Sequence, residues 1–135
     1  MKMRRFKMET LVRDKLPGRI KELGGRARLR KLGSSSYIHC LKLKLKEEVE
    51  EVCKATTLQE VKEEMADVLE VLYTLAKIQG LELDHIEKIR LQKRNERGGF
   101  SKRKFAEFVE VESDDDLHPI VQYCKKDGEK YPEIF

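Results

Sequence analysis

Two consecutive amphipathic helix signals, each with acids set into its apolar face, constrain this chain more than any other feature of its sequence. After the turn-forming run Gly33, Ser34, Ser35, Ser36, the residues Ile38, Leu41, Leu45, Val49 and Val52 fall on one stripe at about 100° per residue. A serine of that run is the expected cap, and the helix is expected to end near Lys54. The next segment opens on Thr57 and Glu60, a spacing that lets each side chain satisfy an orphan amide of the first turn. Its apolar residues, Leu58, Val61, Met65, Val68, Leu69, Leu72, Leu75 and Ala76, run up to Gly80, which supplies a left-handed stop. Val71 and Ile78 widen that apolar arc beyond what one neighbouring layer covers.

The acids are the unusual part. Glu48 falls on the wheel between Leu41 and Val52, and Glu64 lies among Val68, Val71 and Leu75 with Asp67 at its border. Glu47 and Glu51 flank the first stripe beside Lys44, whereas Glu50 points the opposite way. Isolated carboxylates on a buried face take up protons unless they are paired or bound to a cation, and carboxylates gathered together also repel. A divalent cation answers both difficulties. The i, i+3 spacing of Glu48 with Glu51 and of Glu64 with Asp67 keeps each pair on one face, so two antiparallel helices can aim all of them at one point. Oxygen-only donors select Mg²⁺ or Mn²⁺ over zinc. The plain alternative for one such pair is a solvated helix face with ion pairs such as Lys44 to Glu48; two pairs on consecutive capped helices favour the metal.

The rest of the chain is expected to serve this pair. A third helix starts at Asp84, with Glu87 as its cap partner, and stops at Gly98 and Gly99 after a basic last turn. Upstream, Pro17 can start a short helix through Leu23, and the alternation in residues 26–30 allows a short peripheral strand or hairpin. Phe105, Phe108, Val109 and Val111 read as an extended edge packed on the bundle. The expected architecture is one all-α domain over residues 1–111, with residues 112–135 as a surface-lying or mobile tail.

Composition narrows the function classes. Charged residues make up 40% of the chain and hydrophobic ones 39%, but their patterning into helices argues for a folded domain. A net charge of +4 suits a phosphorylated small molecule or a nucleic acid. Cys40, Cys53 and Cys124 lack the spacing of a zinc site, and their odd number argues against a disulfide framework. No apolar run approaches the roughly 18 residues of a membrane span, and MKMRRFKM is followed by no apolar leader core. A cytoplasmic protein with reduced thiols is expected. Neither a GxxxxGK[ST] loop nor a GxGxxG turn occurs, and His39, His85 and His118 are scattered, so P-loop, Rossmann and histidine-based chemistries are disfavoured.

With Glu47, Glu48, Glu51 and Glu64, Asp67 in an EExxE and downstream ExxD order, the chain resembles the MazG-like all-α nucleotide pyrophosphohydrolases. It looks closest to their phosphoribosyl-ATP pyrophosphohydrolase-like branch, because LVRDKLP at residues 11–17 and KRNERGGF at residues 93–100 are similar to that branch's ends. The resemblance covers roughly residues 10–105, and nothing beyond Glu112 takes part in it. It implies a MazG-like helical bundle that cleaves a nucleotide between its α and β phosphates. The products would be a monophosphate and pyrophosphate, with Mg²⁺ (or Mn²⁺) held by Glu48, Glu51, Glu64 and Asp67.

On that reading Glu47 either orients and deprotonates the attacking water or supports a ligand from behind. Lys93 and Arg97, continuing the helical face of Ile86 with Arg94 alongside, are candidates for the phosphates. Arg13 and Lys15 join them on the resemblance alone, with Asp14 as a local salt-bridge partner, while Lys44 either contacts substrate or balances Glu47 and Glu51. The wide apolar arc of the second helix and the resemblance both imply a homodimer or higher homo-oligomer. Histidine-synthesis phosphoribosyl-ATP hydrolysis is the alternative enzyme. A basic nucleic-acid-binding module, resting on residues 26–31, is the non-enzymatic one, and it leaves the buried acids unexplained.

Overall fold

The structure, a computed structural model, describes residues 1–127 and 129–134. Its elements in chain order are α1 (Leu16–Glu22), α2 (Ser34–Lys54), α3 (Leu58–Ile78), α4 (Leu83–Arg97) and α5 (Pro119–Lys125). No strand occurs among the described residues, so the all-α expectation holds and the peripheral strand does not form. Residues 26–30 are irregular, with only Ala27 half-covered. Without a second strand to pair with, an alternating pattern has no ladder to satisfy its amides.

The chain divides into two compact units, Met1–Glu96 and Arg97–Phe135. In the first, α2 and α3 pack on each other along their length. Residues 55–57 join them, and a connection that short returns the chain antiparallel. Thr57 caps α3 by accepting from the Glu60 amide at 3.1 Å. The reciprocal bond lands one residue earlier than the capping-box pattern predicts: the Thr56 amide donates to Glu60 Oε2 at 3.0 Å. α2 has no such cap, since Gly33 occupies the position and no serine side chain bonds a first-turn amide. Gly80 closes α3 with φ +69°, where a side chain would be strained.

Burial singles out which stripe faces which. Leu41 on α2 (4% exposed) and Val71 on α3 are buried, and Ile38, Leu45, Val52, Val61, Val68 and Leu75 are half-buried around them. Val49, at the edge of its stripe, stays exposed. The opposite flank of the α3 arc, Met65, Leu69 and Leu72, is uncovered, with Leu69 48% exposed. The expected excess of apolar surface is therefore present within the chain.

α4 behaves differently. Asp84 does lie in its first turn and Gly98 follows its end with φ +82°, but Glu87 does not cap it; that carboxylate is gripped by the Arg90 guanidinium instead. Every residue of α4 is exposed, so the row of Ile86, Lys93 and Arg97 is not turned into a covered face of this chain. In the second unit, Phe105, Phe108 and Val109 are exposed rather than a packed edge. The acidic stretch leads into α5, which His118 caps by accepting from the Ile120 amide at 3.2 Å. Tyr123 and Tyr131 stack with ring centroids 6.0 Å apart. No described helix is long and apolar enough to cross a membrane.

Candidate metal centre

The antiparallel return of α3 on α2 brings Glu48, from the middle of one helix, against Glu64 and Asp67, from the first half of the other. One carboxylate oxygen from each of the three lies within 4.8 Å of the others. All three are half-buried, with the Glu48 side chain 13% exposed and that of Asp67 36%. This is the local result of the sequence pattern, since Glu48 sits in the same lane as Leu41 and Val52 and Glu64 in the lane of Val68 and Val71.

Glu51 lies outside this tight trio and is exposed, yet its charge reaches Glu64. Partial desolvation raises the Glu64 carboxyl above its ordinary value, and the negative charges of Asp67, Glu48 and Glu51 push it further the same way. The three neighbours thus act on Glu64 as one cluster.

Two cations of the chain already sit on the cluster's edge. Lys44, one turn before Glu48, places Nζ 3.4 Å from Glu48 Oε1 and 3.1 Å from Glu47 Oε1. Arg13 reaches from the segment before α1 and sets Nη2 2.6 Å from Asp67 Oδ1. Its partner is therefore a carboxylate of the cluster and not the neighbouring Asp14. Glu64 has no base within ion-pair distance among the described residues.

Glu47 is exposed and held at both oxygens: Lys44 takes one, and the Thr10 hydroxyl donates to the other at 3.0 Å. Thr10 is a site neighbour that no sequence pattern marks; its only signal is its position just before LVRDKLP. Lys15, Lys93, Arg94 and Arg97 are exposed, and none makes an ion pair with the cluster among the described residues. Two open hollows beside α5, around Tyr123 and Lys126, contain no candidate site residue.

The donor set suits a hard divalent cation. It holds carboxylate oxygens only, with neither histidine nor cysteine in the group, which matches Mg²⁺ or Mn²⁺ chemistry and not that of zinc. Fold and site together define an all-α protein built on a helix hairpin with an acidic centre. Residues 28–95, about half of the chain, match the sequence profile of phosphoribosyl-ATP pyrophosphohydrolase, and the chain belongs to that pyrophosphohydrolase family. No curated protein and no solved structure matches it.

Proposed function

We propose that the chain hydrolyses a nucleoside triphosphate, or a related nucleotide, to the monophosphate and pyrophosphate, in a house-cleaning role. The convergence of Glu48, Glu64 and Asp67 from two helices carries this reading, because carboxylates gathered at one partly dry point call for a cation. Glu48, Glu64 and Asp67, with Glu51 beside them, would hold Mg²⁺ or Mn²⁺. When bound, the ion supplies neutralisation of phosphate charge and a lowered pKa for the attacking water, so no covalent nucleophile is required.

The chain's own groups divide the remaining work. Glu47, steadied by Thr10 and Lys44, presents a fixed carboxylate beside the cluster that can orient the water and receive its proton. Lys44, Arg13 and Lys15 stand on the same unit as candidates for the phosphates, and Lys93, Arg94 and Arg97 supply a second basic group from the end of α4. A second copy of the chain, covering the uncovered flank of α3 and the bare faces of α4, would give those α4 cations a wall to line, so the working unit is proposed to be a homodimer or larger.

The second enzymatic reading, phosphoribosyl-ATP hydrolysis, is favoured by the family match itself. One experiment separates them: a panel of nucleoside triphosphates and phosphoribosyl-ATP with Mg²⁺, resolving monophosphate plus pyrophosphate from diphosphate plus phosphate. Turnover of triphosphates with pyrophosphate release, abolished by EDTA, is the expected result. Release of inorganic phosphate alone would overturn the assignment, and turnover of phosphoribosyl-ATP alone would move it to the second reading.

A further inference from the structure

The cluster's two resident cations are not equivalent. Lys44 belongs to α2 itself, and the helical register keeps it one turn from Glu48. Arg13 comes from outside the helix pair, on a stretch that precedes α1 and is joined to it where the Leu16 amide donates to the Arg13 carbonyl at 3.0 Å. Its side chain is 67% exposed, yet its guanidinium closes on Asp67, and three residues earlier Thr10 closes on Glu47. The segment is thus tied to α3 by one contact and to α2 by the other. Both contacts end on acids of the site.

We infer that this N-terminal segment is an exchangeable latch on the metal centre, with Arg13 holding Asp67 until a divalent cation takes its place. The inference rests on the proposed metal site and adds a competitor to it. The carboxylate that Arg13 holds at 2.6 Å is one of the three that converge, and a guanidinium and a divalent cation brought to one carboxylate repel each other. Release leaves a free guanidinium at the rim, tethered by a short length of chain, in the place where a phosphate would arrive. Asp67 and Glu48 each keep a base, and Glu64 has none among the described residues.

The expected size follows from the exposure of the pair. Ion pairs this open are worth at most about 1 kcal/mol, which corresponds to about a fivefold change in affinity. The test is a titration of the full chain with Mn²⁺ alone, without nucleotide, followed by calorimetry or by the electron paramagnetic resonance of free Mn²⁺. Arg13→Ala should bind Mn²⁺ about two- to fivefold more tightly than the parent. Lys15→Ala removes the same charge from the same segment without touching Asp67, and should bind as the parent does. An unchanged or weakened affinity in Arg13→Ala, or an equal gain in Lys15→Ala, overturns the latch.

Asp67→Asn separates the two layers. Undiminished Mn²⁺ binding in that variant sinks the metal site itself, whereas lost binding there with no gain in Arg13→Ala sinks only the latch. The unaltered chain gives a second readout that needs no variant to fold. Tryptic cleavage after Arg13, relative to cleavage after Arg5, should speed up when Mn²⁺ frees the side chain, and a slowed or unchanged ratio contradicts the exchange.

Discussion

α3 and α4 are neighbouring helices read from the same kind of sequence pattern, yet one is held by packing and the other by little beyond its own backbone. α3 has a satisfied cap at Thr57, a partner along its length and buried Val71. α4 has an ion pair between Glu87 and Arg90 and no buried residue. Short isolated helices are marginal in water, and most helical stability in proteins comes from burying an apolar face. The difference teaches that an apolar stripe can mark a helix without marking what covers it: among the described residues, α4 buries none of its own.

The largest expected effect tests that contrast directly. Leu41→Ala, at the centre of the α2 and α3 contact, should cost about 2 to 5 kcal/mol of unfolding free energy in urea. Ile89→Ala, exposed on α4, should stay within about 0.5 kcal/mol if the chain works alone. A cost near that of Leu41→Ala, accompanied by a light-scattering mass at a multiple of 15.9 kDa, would show that a second copy buries α4. A single-chain mass with full activity would refute the oligomer.

Next in size are the charges. Asp67→Asn or Glu48→Gln should lower kcat about 100-fold or more while leaving the helical content intact, since each removes a proposed ligand outright. Arg97→Ala and Lys93→Ala should lower kcat/KM by a few fold to about tenfold, the scale of one charge-assisted hydrogen bond. Full activity in a Glu48→Gln, Asp67→Asn double variant ends the metal assignment. No change in either α4 variant confines the site to the first unit and leaves those cations as a favourable complement to a helix end.

What was legible in the sequence divides along the same line. Periodicity located the long helices, and the Thr57 cap marked the start of α3, because the determinants of α2 and α3 lie within a turn or two of each residue they place. The meeting of Glu48 with Glu64 and Asp67 was legible too, since a short connection between two long helices leaves one antiparallel way to pair them. The partner of Arg13 was not. Asp14 is adjacent and Asp67 is distant in sequence, and no local pattern tells a chain which of two carboxylates will lie within reach after folding. Thr10 was invisible for the same reason. The inward turn of α4 was read from a stripe, but a stripe records only that a face is apolar, not which chain covers it.

The smallest expected effect comes from two glutamates one turn apart on α3 whose carboxyls move in opposite directions. Glu60 is lowered, chiefly because the Thr56 backbone amide donates to it, while Glu64 is raised by partial desolvation and by its acidic neighbours. A lowered carboxyl stabilises the fold above its unfolded pKa, and that contribution is lost as pH falls through the folded value. A raised one does the reverse: its contribution is complete below the unfolded pKa and disappears as pH rises through the folded value. Glu60→Gln should therefore lower the Tm of the metal-free chain at pH 7 and flatten its decline in acid. Glu64→Gln should raise the Tm at pH 7, because a neutral amide ends the repulsion from Asp67, Glu48 and Glu51. Mn²⁺ should narrow or invert that gain, since the parent binds the ion with the full set of acids and the variant does not. Thermal melts at pH 4 and pH 7, with and without Mn²⁺, read all four arms; a Glu64→Gln chain less stable than the parent at pH 7 without metal would mean that the cluster is held together by something other than a cation it lacks.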